Sequence, residues 1–269
     1  MHTKTLTLQS GGRLFVIGEL FGHFPALGFW MRQVAFKPQL DKVVLLGNFL
    51  GYAASSRQAH YYLSQPWLEA VLGPNEAHVL DRLNRGSHSA EGTLIGQWLG
   101  AMSRDEKAML QRALAGAPVA LEWSTEEGLI VFSNRPMRED IPWEHTRSEL
   151  LKSANSAQGL QLFMSRIDTL RCLGMIPGGA QRPAPGVHQN IAAFSLEKPA
   201  ATHHVRHNRI IVTGSSCTAH GAQYEHQSLL CSIEINHLQS SIEQVNTWEM
   251  SLDVRHALYP ASSLNTNMH

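Results

Sequence analysis

The stretch Gly18-Glu19-Leu20-Phe21-Gly22-His23 follows the apolar run 13–17 and precedes a segment with helical spacing. Strand, tight glycine turn, helix is an order in which many α/β enzymes present reactive groups at the end of a sheet. This turn holds one carboxylate, Glu19, with a phenylalanine where a polar group is expected. Glu19 could bind a single metal with His23 or Glu197, but a mononuclear site needs three converging ligands. The simpler expectation is a loop carboxylate accepting backbone N–H bonds. Two further turns have the same character: Gly47-Asn48-Phe49-Leu50-Gly51-Tyr52-Ala53 ends an apolar run, and Gly73-Pro74-Asn75-Glu76 opens a helical one. Glu76 at a helix start complements the helix dipole. His203, His204 and His207 read as one loop before a strand, and Cys217, His220 and His226 match no metal spacing. Both groups are expected to be solvated loops.

The elements that must position these residues can be read from periodicity. Residues 3–9 alternate with period two, Ser10-Gly11-Gly12 turns, and 13–18 continues as a strand, so a hairpin is predicted. Helices are expected over 24–35, 55–65, 75–83, 142–153 and 158–172, and two pieces over 91–115, with Ser103 and Glu106 as a capping box. Residues 41–47 read as a buried parallel strand and 69–73 as a third strand. A second hairpin is expected around Thr125-Glu126-Glu127-Gly128. Later strands are expected near 191–195, 208–213, 228–236 and 240–248. The Pro/Gly stretch 174–186 is long for a connector, which suggests a surface excursion near a functional face or a mobile loop. Strands alternating with helices, then antiparallel strands, fit an α/β protein with a mixed sheet pair and helices outside.

The chain has 269 residues, 43% hydrophobic and 16% charged, enough for a large core. Lys+Arg and Asp+Glu are 22 each, so net charge gives no reason to expect nucleic acid or an anionic membrane as a partner. Cys172, Cys217 and Cys231 include no CxxC pair and read as reduced, buried thiols. No run approaches the roughly 20 apolar residues of a membrane span. The expectation is a soluble, cytoplasmic protein with a single domain over 1–250 and a frayed tail over 251–269.

The order and spacing of the glycine turns resemble the calcineurin-like metallophosphoesterases, and within them the bacterial Ser/Thr protein phosphatases and symmetrical diadenosine tetraphosphatases. The family pattern runs GDxHG, GDxVDRG, GNHE, HAG, GHT and DTG. The corresponding stretches are 18–22, 47–53, 73–76, 131–136, 195–199 and 212–214, the first three being the more specific. The resemblance runs from about residue 13 to residue 236 and implies an αββα sandwich, two mixed sheets flanked by helices.

In that family two divalent metals clamp the phosphoryl group and generate a hydroxide nucleophile. Carried over position by position, the resemblance implies loss of this centre. The first Asp is Glu19, the first His is Phe21, and the bridging Asp is Asn48. The Asn ligand is Pro74, and the general-acid His is Asn75, with Glu76 retained beside it. The orienting Asp is Gly51 and the phosphate-binding Arg is Tyr52. The HAG His falls on Phe132, or on Ser133 with a one-residue shift; the GHT His falls on Leu196 or Glu197, or on Ser215. Loss of even one supporting partner costs roughly 10–100-fold in metal affinity or activity, so this many changes imply a former site without two-metal catalysis. Phe21, Leu50, Phe132 and Leu196 suggest apolar filling of the old cavity.

The resulting expectation is a catalytically inactive pseudo-phosphatase with no metal or other cofactor, acting on a protein partner as an adaptor or regulator. The alternatives are a phosphoesterase with a rearranged site, a non-hydrolytic receptor for a nucleotide or phosphorylated ligand, and a structural component of an assembly.

Overall fold

The computed structural model describes residues 3–51, 53–86, 94–153, 155–173, 177–178, 182–196, 202–215, 227–236 and 246–253. Two mixed sheets stack face to face. The five-stranded sheet has the order β11-β10-β2-β3-β4, where β2 is Arg13–Ile17, β3 Lys42–Leu45, β4 Leu68–Ala70, β10 Gln227–Asn236 and β11 Asn246–Asp253. The six-stranded sheet has the order β1-β5-β6-β7-β9-β8. Its strands are β1 Thr3–Thr5, β5 Ala120–Thr125, β6 Gly128–Ser133, β7 Gln189–Leu196, β8 Thr202–Arg206 and β9 Arg209–Ser215. β2, β3 and β4 run parallel, as do β6, β7 and β9.

β2 and β3 are apolar on both faces because both faces are covered. Leu14, Val16, Val44 and Leu46 face the other sheet and meet Leu121, Phe132, Ile191, Ile210 and Val212. Phe15, Ile17, Val43 and Leu45 face a helical layer. That layer contains α1 (Phe24–Gln33), α2 (Ala59–Tyr62), α3 (Pro74–Asn84), α4 (Leu94–Ala101) and α5 (Arg104–Gly116). Phe24, Leu27 and Trp30 recur at helical spacing on α1, and Trp30 meets the Phe15 ring edge-on at 5.1 Å. The six-stranded sheet is covered outside by α6 (Trp143–Lys152), α7 (Ser156–Leu160) and α8 (Arg166–Cys172). The expected αββα layering is therefore present. The expected capping box is present too: Ser103 N–H donates to Glu106 at 2.7 Å and Glu106 N–H to Ser103 Oγ at 3.2 Å.

Four local expectations are corrected. The first hairpin does not form; β1 pairs parallel with β5 in the other sheet, and Leu6 N–H donates to Glu122 at 2.7 Å. Leu6 and Leu8 are thereby drawn into the core between the sheets. The helix expected over 158–172 is two helices, broken where Met164 N–H turns to the Pro136 carbonyl and Ser165 caps α8. The helix expected over 55–65 is a 3₁₀ turn, Ala54–Gln58, followed by the single turn of α2. His203 and His204 lie in β8, not in a loop, in register with Val212 and Ile211, and of the three only His207 occupies the turn. The cluster at Cys217, His220 and His226 lies outside the described residues, as does part of the strand expected over 240–248. Among the described residues no helix is long and apolar enough to cross a membrane.

Candidate functional site

The loops leaving the carboxyl ends of β2, β3 and β6 converge, the usual place for a ligand site in an α/β sheet. Close backbone approach dictates their glycines. A Cβ at Gly51 would lie 2.3 Å from the Phe21 carbonyl oxygen, so no side chain fits there unless the backbone shifts. A Cβ at Gly73 would lie 2.8 Å from Asn48 Oδ1 and 3.0 Å from Asn134 Nδ2. Phe21 and Asn48 both have left-handed backbone, at φ 48° and 47°. Asn accepts this region readily; Phe adopts it here with its N–H donating to the Asn48 carbonyl at 2.9 Å.

Asn48 is the centre of the cluster. Its side-chain amide donates to Glu19 Oε1, and its Oδ1 accepts from the Asn75 N–H at 3.1 Å. Asn75 in turn donates from Nδ2 to the Leu50 carbonyl at 2.7 Å. Glu76 is fully buried beneath them. Its Oε2 accepts from the N–H groups of Asn48 (2.8 Å) and Gly73 (2.9 Å), and its Oε1 from that of Leu50 (2.7 Å). It therefore caps α3, as expected of its position, and also ties α3 to the loop after β3. Burial pushes its carboxyl up to about 7, against the pull of these backbone N–H donors. Trp98 Nε1 closes the back of the cluster, donating to the Gly51 carbonyl at 2.8 Å. Ser56 Oγ bonds both the N–H and the carbonyl of Gly51, each at 3.1 Å.

Sequence reasoning singled out neither Asn134 nor Arg135. Asn134 is buried and donates to the Leu46 carbonyl at 2.8 Å, pinning the loop after β6 to the end of β3. Arg135 follows it and is half-buried. Burial holds its guanidinium below its ordinary range; Glu19 pulls it back up and Arg166 pushes it down. The only available signal was a cation directly after a strand end, inside a stretch read for its neighbour.

The structure thus brings together Glu19, Phe21, Asn48, Gly51, Pro74, Asn75 and Glu76. Phe132 lies elsewhere, fully buried between the sheets, and Leu50 packs in the helix-side core. Those two side chains fill opposite cores and not a shared former cavity. What occupies the meeting point of the loops is a polar network. Leu196 ends β7. Tyr52 and Glu197 lie outside the described residues.

A two-metal centre does not fit these residues. Glu19 faces the N–H₂ of an amide, both Glu76 oxygens are engaged by backbone donors, and Phe21 and Pro74 offer no ligand atoms. Among the described residues no three His, Cys, Asp or Glu side chains converge to hold a metal ion.

No protein-family model matches the chain. The serine/threonine-protein phosphatase 2 of Escherichia coli (strain K12) is 24% identical over 94 residues, 35% of this chain and 43% of that protein. The chain spans less than half the length of that relative. Among solved structures, a candidate diadenosine tetraphosphatase superposes with a TM-score of 0.58 at 13% identity, over 93% of this chain and 97% of its own. A protein serine/threonine phosphatase from Saccharomyces cerevisiae gives 0.52 at 12% identity, over 87% and 76%.

Proposed function

We propose that this chain, which has the fold of the calcineurin-like metallophosphoesterases and carries their loop blocks in order, is a pseudo-phosphatase. It acts by binding, as an adaptor or regulator of a protein partner, and does not cleave phosphoesters through a metal pair. The observation that supports this most is the wiring of Asn48. An amide donating to Glu19 and accepting from the Asn75 N–H uses both of its polar atoms within the cluster. A bridging ligand must turn the same face to two cations, and a neutral amide cannot offset their charge.

The test is metal content together with turnover. Purified full chain is incubated with excess Mn²⁺, desalted and measured for metal per chain by mass spectrometry, then offered phosphomonoester, phosphodiester and dinucleotide substrates. Near-zero metal and no turnover are expected. Retention of one or two equivalents, with turnover that Glu19→Ala abolishes, overturns the reading. The binding half is tested by size: in native lysate the chain should migrate in a larger complex than it does when purified, and identical migration overturns that half.

A further inference from the structure

Arg209 opens β9 on the face that α8 covers, and its side chain is fully buried. Two of its three nitrogens have partners. Nε donates to the Met137 carbonyl at 2.9 Å and Nη1 to the Arg182 carbonyl at 2.8 Å. Nη2 is buried with no hydrogen-bond partner, and among the described residues Arg209 forms no ion pair. A planar guanidinium anchored at two nitrogens has its third fixed in direction, so Nη2 cannot turn toward another acceptor. The polar neighbours are already committed. Asn190, in register with Arg209, takes the Met137 N–H at 2.9 Å and donates to the Val131 carbonyl and Ser133 Oγ, both at 3.0 Å. Asn208 bonds Ala184 and Val187. Thr169, buried on α8, gives its hydroxyl to the Ser165 carbonyl at 2.9 Å. Glu139 Oε2 accepts the Arg182 N–H at 3.0 Å. Ile211, two residues along the same face of β9, shares an apolar cluster with Cys172 of α8. Burial holds the Arg209 guanidinium below its ordinary range, and the fields of Cys172 and Glu139 pull it back up.

We propose that Arg209 Nη2 binds a small monovalent anion of halide size, in a closed site between the start of β9 and the loops at 136–140 and 182–184. The site is separate from the loop cluster and independent of the pseudo-phosphatase reading. A buried cation with unmet charge and unmet N–H groups is strongly destabilising, and a guanidinium does not shed its proton to escape. Backbone carbonyls satisfy two nitrogens but carry no net charge, and a water on Nη2 would leave the charge unbalanced as well. A halide meets both needs at once. Enclosure of the whole side chain selects a small, weakly hydrated ion such as chloride or bromide over a bulky organic anion. Bound there, the ion fastens two loops that already converge on the same guanidinium.

The experiment joins solution stability to crystallography on the full chain. Urea unfolding is run at fixed ionic strength with chloride replacing gluconate, which is too large to enter. Above the chloride Kd, each tenfold rise in chloride should multiply the folding equilibrium constant by up to about tenfold. Arg209→Gln should lose this dependence while Arg85→Gln, on an exposed helix end, keeps it. Crystals grown with bromide as the sole halide should show an anomalous peak in contact with Nη2. Equal stability in chloride and gluconate overturns the site, and so does the same chloride response in Arg209→Gln. A water at Nη2 with no anomalous signal overturns it too. A bromide peak without chloride-linked stability marks an adventitious ion only and counts against it equally. If Arg209→Gln does not fold, the chloride titration and the bromide crystals of the unmodified chain decide the matter together.

Discussion

Replacing Asn48 by Asp changes one NH₂ into one oxygen and inverts the logic of the cluster. The amide now donates to Glu19 Oε1 while Oδ1 takes the Asn75 N–H. In the variant, one oxygen keeps the Asn75 N–H and the other confronts the Glu19 carboxylate. Two unit charges about 4 Å apart repel by roughly 4 kcal/mol at an effective dielectric constant of about 20. A hydrogen bond to an ionised group is lost as well, worth roughly 1.5–3 kcal/mol. The pair can relieve itself by retaining one shared proton, so the net loss near pH 7 is expected at about 2–4 kcal/mol. The backbone does not confound the comparison, since Asp tolerates a positive φ nearly as well as Asn. The folded pair titrates above the unfolded carboxyl values, so the folded state binds more protons between them. The deficit is therefore small below about pH 4 and grows as pH rises through the raised folded value. Urea unfolding of both proteins in chelator, from about pH 4 to about pH 8, measures the difference directly. Equal stability at the alkaline end, within about 0.5 kcal/mol, would refute the contact between residues 19 and 48. Added Mn²⁺ should leave the deficit in place, because Phe21 and Pro74 supply no ligands.

Other consequences follow from the same geometry. Glu76→Gln turns an NH₂ toward backbone N–H donors and should cost about 2–4 kcal/mol in urea unfolding near pH 5. Because the Glu76 carboxyl rises from 4.5 to about 7 on folding, the native chain binds the extra proton, and its stability should fall as pH climbs through that window. The fall attributable to Glu76 is about 3 kcal/mol, absent from the pH profile of Glu76→Gln; parallel profiles would contradict the buried carboxyl. Gly51→Ala drives a Cβ against the Phe21 carbonyl and should cost about 1–3 kcal/mol, read as a lower urea midpoint at unchanged slope. Trp98→Phe removes one of two side-chain donors to the Gly51 carbonyl and should cost about 1 kcal/mol, while the Ser56 bond remains.

The architecture was legible where local pattern and tertiary need coincide. β2 and β3 are apolar without alternation because two cores face them, and the capping box at Ser103 and Glu106 is a purely local device. The glycine turns were legible because close backbone approaches at Gly51 and Gly73 admit nothing larger. β1 was misread because period two states which face is buried and not which strand is the neighbour. Five of the six tryptophans, Trp30, Trp67, Trp98, Trp123 and Trp143, are buried as their type suggests. Arg209 had no such cue: a guanidinium 0% exposed, donating to the Met137 (2.9 Å) and Arg182 (2.8 Å) carbonyls, clasps two loops far apart in sequence. At the site, identity at each position was readable but wiring was not. Asn48 reads as a lost ligand in the sequence, and only three-dimensional placement makes it the donor that Glu19 requires.

The contact between Gly51 and Phe21 also restricts how this chain could be changed stepwise. An aspartate at 51 needs the turn at 18–22 to withdraw, and that turn is held where it is by the bond from Phe21 N–H to the Asn48 carbonyl. An aspartate at 48 is opposed by the Glu19 carboxylate, and with Phe21 and Pro74 in place no ligands hold a cation between them. Each of these two replacements is thus unfavourable alone. A route of single, independently acceptable substitutions at 48 and 51 is closed, so any redesign of this surface must move the loops after β2 and β3 as one unit.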